Sequence, residues 1–391
     1  MKNHLSRARG AVFALVAALL SIVLPPVGSA SAVADPCGAG SNPIVCENSK
    51  PGTPMSDWFA ANSYGDIAGF PTKTSLQAGE SIGFKVQSPS AYHVKIYRLG
   101  WYGGDGARLM STAAQAAQTY PANYTTKHAD CLKNQPTGLM DCGNWPTTAT
   151  WTVPSDAVSG LYIANFDQAD GNGLMPYPFV VRNDSSHSDI LVQTSDQTWQ
   201  AYNDWGGTNL YDGQGPAPDG RAYKVSYNRP MDIGGDNGIY GSEFEMIAWL
   251  ERNGYDTSYV SGVDTAGRGA SLLPNHKMFM SQGHDEYWTQ EQFTNVLNAR
   301  KAGQHQTYFA GNEIFWKTRF EPSIDGTNTA DRTLVCYKET KLKFPTPNGV
   351  PDPSPEWTGT WVQYSSWPWD MNILWFGSSE APRPAVSTPE T

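Results

Sequence analysis

Charge is scarce in this sequence. Asp, Glu, Lys and Arg together make up 16% of 391 residues, and acids outnumber bases by 37 to 27. A net charge of −10 argues against a chain built to hold a polyanion such as DNA or an anionic lipid surface. Cysteine is also sparse. The five present form no C-x-x-C pair and have no His cluster nearby, which argues against a zinc ribbon or finger. There is no G-x-S-x-G elbow and no H-E-x-x-H helix, so two common routes to a nucleophile or a zinc-bound water are absent. After residue 24 no apolar run is long enough to cross a bilayer as a helix.

The first residues have the composition of an export signal. Lys2, Arg7 and Arg9 make a basic start with no acid, and Ala11 to Leu24 are apolar almost without a break. Pro25, Pro26 and Gly28 interrupt that run, and Ala30-Ser31-Ala32 and Ala32-Val33-Ala34 both offer an A-x-A cleavage site. We therefore read 1–34 as a cleavable signal and expect a secreted, extracellular protein with no integral membrane segment after cleavage. Removing three bases takes the net charge to −13. In an oxidising compartment Cys37 and Cys46, and Cys131 and Cys142, are placed to close two small loops. Cys336 is left over and reads as a buried thiol.

Aromatic residues are plentiful at 12%, and glycine is frequent. Residues 35–56 are a polar lead-in. From 57 to 183 short alternating runs recur at Ser81–Val86, His93–Arg98 and Leu161–Ala164, separated by turn residues such as Ala78-Gly79-Glu80. This pattern predicts a β-sandwich of immunoglobulin or fibronectin type. Asn183-Asp184-Ser185-Ser186 reads as a linker. Beyond it, from 187 to 361, strands near Ile190, Thr257, Lys277 and Gln306 alternate with helices. Ser242 with Glu245, and Thr289 with Gln292, are spaced as capping boxes for two of those helices. The alternation predicts an α/β domain with a mostly parallel sheet. The tail 362–391 is rich in Trp, Pro and Ser.

Two segments fall at strand ends, where open α/β sheets bind ligands. One is Ser281 to Trp288, with a glycine, His284, Asp285, Glu286 and two aromatics. The other is Gly311-Asn312-Glu313-Ile314-Phe315-Trp316. Each alone is better read as a helix-capping acid or a turn histidine; two at adjacent strand ends bring a shared site level with that reading. Residues 195–240 make a long aromatic segment whose tyrosines read as site-forming or as a cover over the sheet. Without a covalent nucleophile, hydrolysis here would rest on a metal-activated water or a His/Glu pair.

The words Thr198-Trp199-Gln200-Ala201-Tyr202-Asn203-Asp204-Trp205-Gly206-Gly207, Trp249 to Asp256, Gly283 to Trp288, Gly311 to Trp316 and Arg332 to Lys338, in that order, resemble the large-subunit domain of the N,N-dimethylformamidase family. The Tyr97 to Gly104 stretch resembles the domain that precedes it in relatives. The resemblance implies a glutamine-amidotransferase-like fold without its cysteine. It also implies a mononuclear iron held by two tyrosines and a glutamate. Glu286 matches the glutamate, Tyr202 the first tyrosine and Tyr240 the second, while His284 matches an acid/base and Asn312 a substrate-facing amide. Phenolate and carboxylate oxygens suit a hard ferric ion. The resemblance fades after Trp361, which reads as truncation or a shifted frame.

The expected function is thus iron-dependent, amidase-like hydrolysis of a small-molecule substrate at a C–N bond. The alternatives are a non-catalytic extracellular protein that binds carbohydrate or a surface, and an inactive fragment. Nucleic acid is not an expected partner, and the sequence leaves the oligomeric state open.

Overall fold

The structure is a computed structural model and describes residues 35–60, 63–118, 131–217, 220–232 and 238–338. The leader read at 1–34, the words at 357–361 and the tail 362–391 lie outside those residues.

Between residues 68 and 182 the chain is β-structure in two main sheets. Strands Ala68–Pro71, Ser81–Gln87 and Ala149–Thr152 make an antiparallel sheet of three. Ser75–Gln77, Leu174–Arg182, Gly160–Gln168, Tyr92–Leu99 and Ala107–Gln115 make a sheet of five. Alternation puts one set of side chains inward from each sheet. Phe84 of the first meets Phe166 and Phe179 of the second at ring distances of 5.7 and 6.3 Å, and Trp151 meets Phe179 at 6.0 Å. Both small loops close as disulfides, Cys37–Cys46 and Cys131–Cys142. Cys336 is buried and belongs to neither.

The second half is built on a four-stranded parallel sheet. Its order is Thr257–Val260, Ile190–Gln193, Met278–Gly283, His305–Ala310. The first strand in the chain is therefore internal, with the second on one side and the third on the other. Connections leave in opposite directions from that point, which opens a crevice beyond the carboxyl ends of Ile190–Gln193 and Met278–Gly283. Both faces are covered, as a parallel sheet requires. Leu191, Val260 and Phe279 join a core with Leu272, Val296 and Ala299 from helices Gly262–Leu272 and Gln290–Lys301. Their neighbours Ile190, Val192, Tyr259 and Met280 face the other way, into the core shared with the two sheets of the first half and with Ile247 and Leu250 of helix Phe244–Arg252.

Two buried ion pairs tie the two halves together, Arg182 with Asp264 and, more deeply, Arg98 with Glu251. Arg98, on strand Tyr92–Leu99, meets both carboxylate oxygens of Glu251 at 2.8 and 2.9 Å, and both side chains are fully buried. Its remaining donors go to Leu99 O, Ser159 O and Tyr102 Oη, so the charge is balanced and hydrogen-bonded at once.

Thr289 and Gln292 form the expected capping box on Gln290–Lys301. Ser242 and Glu245 do not form theirs. Ser242 ends a separate short helix, Ile239–Ser242, and its hydroxyl donates back to Gly238 O. Helix Phe244–Arg252 then starts from Glu243, whose carboxylate is engaged elsewhere. A second small sheet, Lys224–Ser226, Thr333–Val335, Trp316–Glu321 and Tyr287–Thr289, was not anticipated. Three of its strands are only three residues long, too short for a period to show. No helix among the described residues is long and apolar enough to cross a membrane.

Candidate active site at the strand ends

The crevice is furnished from both of its flanking strands. Ile190–Gln193 leads into helix Asp196–Ala201, and Tyr202 is the residue that ends that helix. Met278–Gly283 leads into His284-Asp285-Glu286. Gly283 has φ +81°, and a Cβ on it would lie 2.5 Å from Glu243 Cγ, so both backbone and space require glycine at this turn. The two segments singled out in the sequence are stitched together by their backbones. Gly311 N donates to Gly283 O at 3.2 Å, and Ile314 N to Asp285 O at 3.1 Å. Phe315 N and Trp316 N both donate to Glu286 O, at 2.8 and 2.9 Å. Thr198 Oγ1 accepts from Glu286 N at 3.1 Å, which fixes Glu286 against the helix that delivers Tyr202.

Glu286 is the centre of the arrangement. Its Oε2 accepts from Tyr211 Oη at 2.6 Å and from Tyr202 Oη at 3.1 Å, and lies 3.2 Å from His284 Nε2. Its Oε1 accepts from Trp316 Nε1 at 3.1 Å. Tyr202 Oη is also 3.4 Å from His284 Nε2. The two tyrosine rings stack, with centroids 4.2 Å apart and planes 29° from parallel. On Tyr211 sits a cation: Lys338 Nζ is 3.4 Å from the ring centroid and 4.9 Å from that of Trp316.

Tyr211 reaches this place on an irregular loop held by side chains. Asn209 Oδ1 accepts from Tyr211 N at 2.5 Å and Asp212 N at 2.9 Å, an Asx turn that aims the ring. The buried Arg229 guanidinium donates to the carbonyls of Gln200, Trp205 and Thr208, and Asn203 Oδ1 accepts from Trp205 N and Asp232 N. The run from Thr198 to Gly207 thus serves largely to shape the loop.

The electrostatics follow from burial and one anion. Burial pushes Glu286 upward, but the hydrogen bond and charge of His284, the charge of Lys338 and the Tyr211 hydroxyl together bring it below the ordinary carboxylate range. For His284, burial opposes the charge. The bond to Glu286, its negative charge and a backbone bond to Gly311 prevail and hold the imidazolium above its usual range. Burial first, then the Glu286 charge, pushes both Tyr202 and Tyr211 far above the usual phenol range. With no further cation present, both phenols keep their protons and donate to Glu286.

Of the residues expected from sequence, Tyr202, His284 and Glu286 come together. Asn312 follows Gly311, whose N–H is bonded to Gly283 O, and is exposed with φ +51°. Tyr240 does not join. Its ring packs on Trp58 and Phe59, at 6.1 and 4.6 Å, on the side where Ile239–Ser242 meets the N-terminal segment. Its place just before a helix carries no information about direction, and its apolar neighbours took the ring. The second phenol at Glu286 is Tyr211, which sequence reading passed over. The one available signal was the Asn209-Leu210-Tyr211-Asp212 turn. Among the described residues no group of three or more His, Cys, Asp or Glu could hold a metal ion; the oxygens at Glu286 come mainly from tyrosine.

The sheet order and this tyrosine–carboxylate–imidazole cluster define a β-rich protein with a buried polar centre at the switch point of a parallel sheet. The chain belongs to the family described as N,N-dimethylformamidase beta subunit-like, C-terminal, which matches residues 93–372. The match runs past Trp361, where the resemblance was expected to fade. Among curated relatives, the N,N-dimethylformamidase beta subunit of Alcaligenes sp is 24% identical over 236 residues, and that of Paracoccus aminophilus 22% over 236. Each alignment takes in 50% of this chain but only 30% of the relative.

Proposed function

We propose that this chain hydrolyses a small non-peptide amide or related C–N bond at the Glu286 centre, with a mononuclear iron held by Tyr202, Tyr211 and Glu286. The observation that carries this reading is the convergence of two phenol oxygens and one imidazole nitrogen on Glu286 Oε2, at 2.6 to 3.2 Å. The donor set fits the ion. All three ligands are hard oxygens, and a cation among them would reverse the upward push on the two phenols, which comes from burial and the neighbouring carboxylate. Bound iron would supply Lewis acidity, polarising a carbonyl or acidifying a bound water.

The remaining chemistry belongs to the chain. An amine leaving group needs a proton. His284 holds one above its usual range and presents Nε2 to the centre, which suits a general acid. Asn312, exposed on the loop that Gly311 ties to Gly283, would orient a carbonyl. The buried Glu286 and the ring pair Tyr202–Tyr211 exclude water from one side. We read the parallel sheet as the amidotransferase-like layer and the two largely antiparallel sheets before it as an immunoglobulin-like sandwich. The internal position of the first parallel strand supports the former, and the shared rings of Phe84, Phe166 and Phe179 support the latter.

Purified protein is expected to carry close to one iron per chain by elemental analysis, and Glu286→Ala to carry almost none. Iron-free wild-type protein would end the proposal. We also propose that the chain is exported. The basic start, apolar run and A-x-A sites support this, and mass spectrometry of the culture medium should find the chain beginning near residue 35. Intact Met1 at the N-terminus of the mature protein would refute it.

A further inference from the structure

Asp285 and Glu313 adjoin the residues described above in the chain, yet neither takes part in the hydrogen bonds around Glu286. Both turn to Ser281. Its Oγ lies 2.8 Å from Asp285 Oδ2 and 3.1 Å from Glu313 Oε2. A hydroxyl carries one proton and can donate to only one of these carboxyls at a time. Gln193, fully buried, turns its amide to the same place. Nε2 donates to Asp285 Oδ2 at 2.6 Å, and Oε1 has no partner among the described residues. Asp285 Oδ1 and Glu313 Oε1 are also buried without partners among the described residues. The charges that bear on Asp285 are those of two more buried acids, Asp196 and Glu243, and the charge that bears on Glu313 is that of Asp285.

Asp285 Oδ2 and Glu313 Oε2 thus converge on one hydroxyl, and the two carboxyls and the amide beside them each keep a further oxygen without a donor among the described residues. A shared proton would settle the contact at Ser281 and leave those three oxygens as they are. A cation seated among these side chains would satisfy them and favour the ionised carboxyls that burial opposes. We propose that Asp285, Glu313, Gln193 and Ser281 form a second cation site, for a hard divalent ion of the calcium class, separate from the Glu286 centre. The donors are all oxygen, with no sulfur or imidazole to favour zinc or a softer metal. Carboxylate, amide carbonyl and hydroxyl together are a calcium-type set, and calcium tolerates the uneven geometry that four elements of one fold impose. The location gives the ion something to hold. Gln193 and Ser281 are register partners on the two strands that flank the crevice, and Glu313 belongs to the loop that carries Asn312. The ion would clamp that loop to the strand ends.

The test uses the full chain, stripped with a chelator and titrated with calcium chloride and then magnesium chloride, read by calorimetry and thermal unfolding. One calcium per chain should bind, with magnesium weaker. The unfolding midpoint should rise by roughly 2 °C for each tenfold excess over the dissociation constant. The response should vanish in Asp285→Asn/Glu313→Gln and persist in Tyr202→Phe/Tyr211→Phe, so this site and the proposed iron site fail or stand separately. If the double variant does not fold, Glu313→Gln alone should weaken binding by at least about tenfold. Wild-type protein that answers to neither ion, a response that survives loss of the acid pair, or one lost only with the tyrosines, would each overturn the proposal.

Discussion

On the proposed reading, Tyr211→Phe is expected to strip iron from the Glu286 centre and to cut the proposed amide hydrolysis by more than about a hundredfold, whereas Tyr240→Phe should leave both within about twofold. The contrast rests on placement. Both tyrosines lie downstream of Tyr202, both are half-buried in aromatic surroundings, and desolvation raises both phenols. Only Tyr211 points its oxygen at Glu286, at 2.6 Å; Tyr240 presses its ring on Phe59. Removing a group behind a metal ligand already costs ten- to a hundredfold in affinity or activity, and removing a ligand should cost more. The phenylalanine variant keeps the stack on Tyr202 and the cation contact with Lys338, so the loss can be assigned to the hydroxyl. Elemental iron per chain and amine released from a panel of small amides are the two readings. Iron retained in Tyr211→Phe, or lost in Tyr240→Phe, would return the second ligand to the position expected from sequence. The metal reading decides the matter even if no amide in the panel is turned over.

How far the sequence reached depended on the physics of each segment. The strands at 190, 257, 278 and 305 were legible because buried parallel strands read as short apolar runs between turn residues, and the helix from Gln290 because its capping box is a local interaction between Thr289 and Gln292. Ser242 and Glu245 have the same spacing and make no box, because Glu243 is claimed by groups some fifty positions earlier in the chain. His284 and Glu286 were legible as polar residues at a strand end. Tyr211 was not. Its position is set by Asn209 and by the Arg229 contacts to three carbonyls, none of which leaves a period in the sequence. The buried Arg98–Glu251 pair was hidden for a related reason. Each residue sits in a word that carries the family resemblance, Tyr97 to Gly104 and Trp249 to Asp256, but nothing in either word says that it meets the other. Part of what the resemblance rests on is therefore the join between the two halves.

The Glu243 carboxyl should make the folded state lose stability as pH rises, and Glu243→Gln should remove much of that loss. Burial is the main cause and raises its pKa from 4.5 to about 8. Hydrogen bonds from Ser195 and the Trp199 indole resist the rise, and the charge of Asp196 adds to it. Below pH 4.5 the group is protonated whether the chain is folded or not, and it contributes no pH dependence. Between 4.5 and about 8 the unfolded chain releases the proton and the folded chain keeps it, so stability falls with pH; above about 8 both states are ionised and the fall stops. At about 1.4 kcal/mol per pH unit, that interval costs the folded state on the order of 5 kcal/mol. Asp196, raised to about 6 chiefly by burial, adds to the slope in its lower part. Glutamine can keep the acceptor. Oε1 takes Ser195 N at 3.1 Å, the Ser195 hydroxyl and Trp199 Nε1 at 2.8 Å, while Oε2 has no partner among the described residues. Urea unfolding of the chelated protein at pH 5 and pH 8 reads the effect directly. Wild type should lose several kcal/mol between them and the variant distinctly less; parallel slopes would show that Glu243 is ionised in the fold. The Glu243 oxygen also holds the helix that delivers Tyr202. Ser195 and Trp199 begin and line the helix that ends at Tyr202, so a neutral acid at Glu243 keeps that phenol aimed at Glu286, and its ionisation would loosen the helix from the strand ends.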